Sequence, residues 1–445
     1  MSAPDLAGRR AVVIGAARAG RGAVRVLAAQ GVRVCVLERD PTAVRDADWP
    51  PTVELRADDG SASGLGAVDL VVPSPGVARE HPLLRRAVAD GIPVWSEIEL
   101  AARLLRCPIL AITGTNGKST TTVLLGNMLK AGGAHVFVGG NLGTPLSDAV
   151  SSGERWDAAV AEVSSFQLEW VPTFRPAVAV LLNLTPDHQD RYPNPADYGA
   201  AKANLLAHQE RGDAAVLNRD DAWVWARRRD TRADVWSFGC DPADRGTFVD
   251  GDDAVVWSAG GVRRYALSES PLQGAHNREN LLAAITAATA WGAPAEAIRA
   301  GMRQTEGLPH RLEPVRERAG VRWYDDSKAT NVGAVEKSID SFAGGIVLLL
   351  GGYDKGGDFA ALRPRIAARV SHVVCFGGAG PHIAEQLGAA VGAHVVPDLA
   401  GAVRLAGGLA RAGNVVVLAP GCASFDEFRD YHERGIRFRA LVEAL

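Results

Sequence analysis

An α/β protein of three domains, each built on a mostly parallel sheet, is the fold class this sequence predicts. Three observations predict it. Short apolar runs alternate with helix-like segments along the whole chain. One of those runs, ILAI at 109–112, leads into TGTNGKST, a glycine-rich loop placed before a helix-forming stretch. And 445 residues exceed what one core holds, since single cores stop growing near about 250 to 300 residues.

The first set of strands falls at 11–14, 32–37, 70–72 and 92–94. GAARAG follows the first of them, and Glu38 ends the second about twenty residues on, which is the Rossmann-like spacing. The middle glycine that would let backbone meet a dinucleotide pyrophosphate is Ala17, so nicotinamide binding is disfavoured. A nucleotide-like ligand at the strand ends still fits, with the SPG of Ser74 to Gly76 beside it. The second set has strands at 109–112, 158–163 and 178–182, with helices after the glycine-rich loop and at 196–208. Residues 242–268 read as a β-hairpin excursion before a strong helix at 280–291. A third Rossmann-like set places strands near 321–324, 346–350, 372–376 and 415–418. The expected domains are 1–96, 97–306 and 307–445, and one phosphate loop among three α/β units suggests an enzyme whose substrates gather between domains.

Composition narrows the partners. With 48 basic and 51 acidic residues, a net charge of −3 and no block of like charge, neither nucleic acid nor a membrane surface is indicated. Small molecules are the expected substrates. Five cysteines without metal-finger spacing read as ordinary thiols and favour the cytoplasm. The start MSAPDLAGRR lacks an apolar signal core, and no run of about 18 apolar residues is present.

In TGTNGKST, the glycines at 114 and 117 let backbone N–H groups approach phosphate oxygens; Lys118 reaches the outer phosphates, and Ser119 or Thr120 can hold magnesium. The common GxxxxGK[ST] pattern would put its first glycine where Ile112 stands, so the loop is a variant. Glu162 in EVSSFQLE closes a strand on the edge where such a sheet presents its phosphate loop, and reads as a metal ligand or a solvated exit residue. NLTPDHQDRYP offers Asp187 and His188 at the next strand end, His188 being a magnesium-site candidate or simply a hydrogen-bonded histidine. Lys202 in YGAAKANLL either snorkels from a surface helix or, if buried, loses its charge and takes up carbon dioxide as a carbamate. HNREN opens a helix, with Asn277 placed to cap it and Asn280 facing one side. Arg311 in LPHRLE, the polar YDDSKATN, Lys355 in LLLGGYDKGGDF and Ser424 in LAPGCASFDEF put polar loops after strands of the third set, as an anionic second substrate requires.

Taken together and in order, TGTNGKST, EVSSFQLE, NLTPDHQDRYP, AAKANL, HNREN, GLPHRLE, DDSKATN, GGYDKGGDF and APGCASFDEF resemble the Mur ligases of peptidoglycan synthesis. The resemblance spans nearly the whole chain. DDSKATN points to the glutamate-adding branch, since relatives adding alanine or diaminopimelate typically carry a DYAH-type sequence there, and the latter a DNPR-type motif absent here. The resemblance implies that the first domain holds the UDP part of UDP-N-acetylmuramoyl-L-alanine through Gly15, Ala17, Arg18, Glu38, Ser74 and Gly76, with Asn141, Ser164 and Gln167 facing the muramoyl part. ATP would lie on Gly114, Thr115, Asn116, Gly117, Lys118, Ser119 and Thr120, its adenosine or ribose on Asn280, Arg311 and Asp326. Ser119 and Glu162 would hold one Mg2+, and His188 with carbamylated Lys202 a second. Lys328, Thr330, Lys355, Ser424 and Tyr431 would engage glutamate, Tyr431 standing where the family often has Phe. Lys118, His188 and Lys202 are the implied catalytic set of a cytoplasmic, monomeric enzyme.

The substrates dictate the chemistry. A carboxylate is a poor electrophile, so the terminal alanine carboxylate must first attack the γ-phosphate to give an acyl phosphate, which the glutamate amine then opens. His188 or Asp326 could take the amine proton. Open alternatives are the same ligation with L-glutamate, glutamate addition to folate, and a nucleotide-switched binding protein without ligation.

Overall fold

Apolar runs on nearly every central strand require sheets covered on both faces, and the structure supplies three of them. The computed structural model describes residues 4–40, 42, 49–50, 52–61, 67–189, 191–272 and 274–445. The chain forms two compact units, one of Met1–Leu184, Ala196–Ser270 and Asn280–Thr305, the other of Thr185–Pro195, Pro271–Glu279 and Glu306–Leu445.

The first unit holds two sheets. In the first, β1 (Arg10–Ile14), β2 (Arg33–Glu38), β3 (Val53–Ala57) and β4 (Leu70–Pro73) run parallel in the order β3-β2-β1-β4. Its period-two pattern sends Ala11 and Val13 to one core with Val24 and Leu27, and Val12 and Ile14 to another with Leu83 and Leu84. Both faces are dry, which is why β1 reads as an unbroken apolar run.

The second sheet has β5 (Ile109–Thr113), β6 (Val136–Gly140), β7 (Ala158–Glu162), β8 (Val178–Leu181), β9 (Ala214–Asn218), β10 (Asp234–Gly239), β11 (Gly246–Asp250), β12 (Asp253–Ser258) and β13 (Gly261–Ala266). Their order is β13-β12-β11-β10-β9-β8-β5-β7-β6. The pairs from β6 to β11 are parallel, and β11, β12 and β13 form an antiparallel meander.

The second unit is built on β14 (Glu313–Arg318), β15 (Val321–Asp325), β16 (Ile346–Gly351), β17 (Val370–Phe376), β18 (His394–Val395) and β19 (Val415–Gly421), in the order β14-β15-β19-β16-β17-β18. Only the edge pair β14/β15 is antiparallel. Leu348 and Leu350 face one core while Val347 and Leu349 face the other.

The structure corrects or extends the local expectations at four places. Residues 92–94 make a single bridge, Val71 to Val94, rather than a strand. The β-hairpin excursion expected at 242–268 has a third strand, and β11 joins it in parallel to β10 of the large sheet. The helix expected from 280 runs Ala275–Trp291, so Asn277 lies inside its first turn and does not cap it. Strand β3, with its mostly exposed VELRA, escapes an apolar-run search because it is an edge strand with little to bury.

Candidate active site

In the second sheet, β5 lies between β7 and β8, so the chain leaves its carboxyl end where neighbouring connections diverge. Such a switch point opens a crevice for a ligand. The residues 114–117 fill that position, followed by the 14-residue helix Lys118–Ala131. Gly117 sits at φ +85°, and a Cβ there would come within 2.2 Å of the Asn280 Oδ1, so only glycine serves. The helix starts with neither a side-chain cap nor an acidic residue in its first turn, leaving N–H groups and the positive end of the dipole for an anion.

Side chains converge on this loop. Lys118 Nζ donates to the carbonyls of Gly114 (3.0 Å) and Thr115 (2.8 Å), folding over its own loop. Asn183, just past β8, clamps the loop: its Oδ1 accepts from Thr115 N–H at 3.1 Å and Asn116 N–H at 2.8 Å, and its Nδ2 donates back to the Asn116 carbonyl. Lys202 is 1% exposed and donates to the Gly114 carbonyl at 2.7 Å, over the Tyr198 ring at 4.6 Å. A snorkelling surface lysine is therefore excluded. Ser119 and Thr120 are buried at the helix start, and Thr121 Oγ1 donates to Asn280 Oδ1 at 3.4 Å. Glu162 pairs in register with Ile112 and Gly140, which sets its buried carboxylate at the strand end beside the loop. Asn141 holds it, donating from Nδ2 to Glu162 Oε1 at 2.7 Å. Ser164 and Gln167 bond each other, with Gln167 Oε1 accepting from both the N–H and the hydroxyl of Ser164 at 3.0 Å.

The first sheet repeats the arrangement, β1 lying between β2 and β4. Glu38, ending β2, accepts from the Ala16 N–H at 2.6 Å and the Arg39 N–H at 2.9 Å. Ser74, after β4, donates to the Gly15 carbonyl at 2.8 Å. A Cβ on Gly20 would stand 2.0 Å from that carbonyl, so the last glycine of GAARAG serves close helix–strand packing. The helix Arg18–Ala29 also begins uncapped by a side chain, after Ala17, and Arg18 reaches the Gly143 carbonyl at 3.0 Å. Gly76 lies in the turn after β4, exposed like Ala17 and Arg18.

In the second unit β19 lies between β15 and β16. A cavity of about 450 Å3 there is lined by Asp187, Thr330, Asn331, Glu336, Lys355 and Gly421 among others. Lys355 Nζ meets Asp187 Oδ1 at 3.1 Å, and Asn331 donates to Asp187 Oδ2 at 3.0 Å. Burial alone would raise the Asp187 pKa, but the Lys355 ammonium, with His188, holds it below the usual carboxylate range. His188 has φ 55°, a left-handed turn supported by its N–H donating to Asp187 Oδ1. Asp190 of the same motif lies outside the described residues. Asp326 is pushed up to about 6 by burial, against the pull of a Ser338 hydrogen bond and the Arg311 charge. Lys328 Nζ sits 3.7 Å over the Tyr431 ring, so that ring takes part as a cation–π face. Ser424 is buried beyond β19 and, with Lys328 and Tyr431, does not line the cavity. His276, opening HNREN, is pushed down to about 4 by burial and by the Lys337 and Arg311 charges.

Three family models match successive parts of the chain: a Mur ligase MurD-like N-terminal domain over residues 9–96, a Mur ligase middle domain over 112–288, and a Mur ligase glutamate ligase domain over 310–422. Over 99% of both chains the sequence is 45% identical to the UDP-N-acetylmuramoylalanine--D-glutamate ligase of Anaeromyxobacter dehalogenans. The chain belongs to the Mur ligase family. The Trichlorobacter lovleyi ligase of the same name is 42% identical over 99% of this chain and all of its own. Among solved structures, the Mur ligase fold is shared with the UDP-N-acetylmuramate-alanine ligase MurC of Thermotoga maritima, at TM-score 0.61 and 17% identity over 98% of this chain and 99% of that one. MurF of Acinetobacter baumannii gives TM-score 0.61 and 21% identity over 79% and 81%.

Sequence patterns passed over two residues of this Mur ligase chain that bond to strand-end loops. Asn183 stands inside the NLTPDHQDRYP motif, at the end of the strand beside β5, and that position is the signal that could have found it. Arg434, on the last helix, is fully buried, and nothing in its local sequence announces that.

Proposed function

We propose that the protein is an ATP-dependent, ADP-forming ligase that adds D-glutamate to UDP-N-acetylmuramoyl-L-alanine through an acyl phosphate, in peptidoglycan precursor synthesis. The observation that carries this reading is the identity of 45% and 42%, over 99% of this chain, to relatives named for that reaction.

The residues present fit ATP and magnesium. The glycine-only turn at 117 and the uncapped helix start make an anion cradle, and Ser119 and Glu162 supply the hard oxygen donors that Mg2+ prefers. Magnesium, when bound, would screen the phosphate charge. This chain's own part is to orient and neutralise. Lys118 is already folded over the loop, so little reorganisation is needed for its ammonium to meet the outer phosphates. The alanine carboxylate oxygen bonds to the γ-phosphorus as its bond to ADP breaks. The glutamate nitrogen then bonds to the acyl carbon, gives up a proton, and phosphate departs with the acyl oxygen.

Lys202 as a carbamate is part of the proposal. What supports it is the burial of the amine, 1% exposed beside the phosphate loop and bonded to the carbonyl of Gly114; addition of carbon dioxide to the amine with loss of one proton gives the carbamate. The resulting carboxylate would serve magnesium, and His188 is proposed as a ligand of a second ion. The remaining roles are proposed as the family resemblance implies them: Gly15, Ala17, Arg18, Glu38, Ser74 and Gly76 for UDP; Asn141, Ser164 and Gln167 for the muramoyl part; Asn280, Arg311 and Asp326 for the nucleoside; Lys328, Thr330, Lys355, Ser424 and Tyr431 for glutamate. We take the domains as 1–96, 97–306 and 307–445 and the enzyme as a cytoplasmic monomer. Among the described residues no helix is long and apolar enough to cross a membrane.

The test is phosphate release from ATP with UDP-N-acetylmuramoyl-L-alanine and, separately, D-glutamate, L-glutamate, lysine and diaminopimelate. Release with D-glutamate alone is expected; none above background with any amino acid would sink the ligase reading. Lys202→Ala should lose activity and regain part of it with short carboxylic acids, whereas full activity in the plain variant refutes the carbamate.

A further inference from the structure

Arg434 is an arginine with no exposed surface, set in the helix Tyr431–Glu443. Burying a guanidinium is costly unless its N–H groups are used. Here they are used on backbone and hydroxyl oxygens of two strand-end loops. Nε donates to Ser327 Oγ at 2.9 Å and Nη2 to the Ser327 carbonyl at 2.8 Å, both in the loop after β15. Nη2 also donates to the Cys422 carbonyl and Nη1 to the Ala423 carbonyl, each at 3.1 Å, in the loop after β19. A third loop is drawn in. Tyr353 and Ala423 exchange backbone hydrogen bonds at 2.8 and 3.0 Å, and a Cβ on Gly352 would stand 3.0 Å from Arg434 Nη1. Ser327 Oγ in turn donates to the Tyr431 carbonyl at 2.8 Å, fixing the start of the arginine's own helix. Burial brings the Arg434 pKa down to about 10, so the group remains a cation at neutral pH, with the charges of Asp426, Asp325 and Glu427 nearby.

Those three loops carry Lys328 and Thr330, Lys355, and Ser424, the groups assigned above to the amino-acid substrate. We infer that Arg434 is a positioning residue that fixes the spacing between these loops and thereby sets the chain length of the dicarboxylic amino acid the ligase accepts. The inference rests on the glutamate-ligase reading. A planar fork bonded to both loops resists their separation, and a lysine, with three donors on one flexible ammonium, cannot reproduce all four of these bonds in that fixed geometry. One methylene separates aspartate, glutamate and 2-aminoadipate, so a loop spacing loosened by a fraction of an ångström is read directly as lost discrimination.

The experiment compares wild type, Arg434→Lys, Arg434→Ala and Ser327→Ala with D-aspartate, D-glutamate and D-2-aminoadipate, measuring kcat and KM for each amino acid and KM for ATP. Wild-type activity with D-glutamate checks the underlying reading by itself. In folded Arg434→Lys we expect the KM for D-glutamate to rise at least about tenfold, the glutamate-to-aspartate ratio of kcat/KM to fall by a similar factor, and the KM for ATP to hold within about twofold. Free guanidinium added to Arg434→Ala should restore part of the discrimination. If the arginine variants do not fold, Ser327→Ala, which removes one hydroxyl, should show the same selective change in smaller degree. Unchanged discrimination in any folded variant, or an equal rise in KM for ATP and glutamate, overturns the inference while the wild-type result stands.

Discussion

Single side chains in this protein take their meaning from what they are pressed against. The ring of Tyr431 lies 3.7 Å under the Lys328 ammonium. Such a contact is worth about 0.5–2 kcal/mol and needs the ring, not the hydroxyl. Tyr431→Phe should therefore keep its KM for glutamate, while Tyr431→Leu should raise it roughly threefold to tenfold; equal effects would remove the cation–π role. Glu97 makes a second residue-level case. It is buried to 1% exposure, accepts from the Ser147 N–H, and is pushed up to about 7 by burial, with Asp148 adding to the rise. A raised carboxyl pKa means that its contribution to stability is complete below about 4.5 and is lost as pH rises through about 7. Glu97→Gln stays neutral throughout, so its melting temperature should gain on wild type between about pH 5 and about pH 8, by roughly 1–3 kcal/mol in stability. A pH-independent difference would contradict this. Lys202 shows the limit of local reading: small and apolar neighbours in AAKANL are compatible with either a surface or an interior lysine, and only its place against Gly114 decides.

At the scale of elements one device recurs in all three sheets. A strand lies between two neighbours, β1 between β2 and β4, β5 between β7 and β8, β19 between β15 and β16, and site candidates follow the middle strand and its flanks. The flanking side chains hold the middle loop in shape: Glu38 and Ser74 around Gly15, Asn183 around Thr115 and Asn116. Asn183→Ala would take that acceptor from the Asn116 N–H, worth about 1–3 kcal/mol when buried, while the Thr115 N–H keeps the Asn183 main-chain carbonyl at 3.0 Å. It is expected to weaken ATP binding at least about tenfold with UDP-substrate binding little changed, as titration calorimetry would read. Gly117→Ala should be more severe, because it adds left-handed strain to a Cβ at 2.2 Å from Asn280 Oδ1; near-normal ATP affinity would show that the loop is softer than the structure indicates.

For the whole molecule, mass action offers the cleanest check. ATP with magnesium at about a hundred times its Kd should stabilise the folded chain by about 2.7 kcal/mol, seen as a rise in melting temperature, and Lys118→Ala should remove most of that rise. Preserved stabilisation in the variant would move the nucleotide elsewhere. The monomer proposal is checked by sedimentation, where a mass of two chains would overturn it.

Local chemistry is what the sequence by itself determined. The glycine-rich loop, the alternation of apolar runs with helices and the ordered motifs were legible because phosphate cradles and buried parallel strands need those residue types at fixed spacing along the chain. The edge strand β3 was not, since an exposed strand carries a weak apolar signal, and the stretch at 242–268 was legible as β structure but not its third strand or its place in the large sheet. Only the tertiary structure decided which residues meet across long separations: Asn183 with 115 and 116, Lys202 with Gly114, Arg434 with Ser327 and Cys422. Burial and hydrogen-bond geometry arise from the order of strands in a sheet, which no neighbouring stretch of sequence contains.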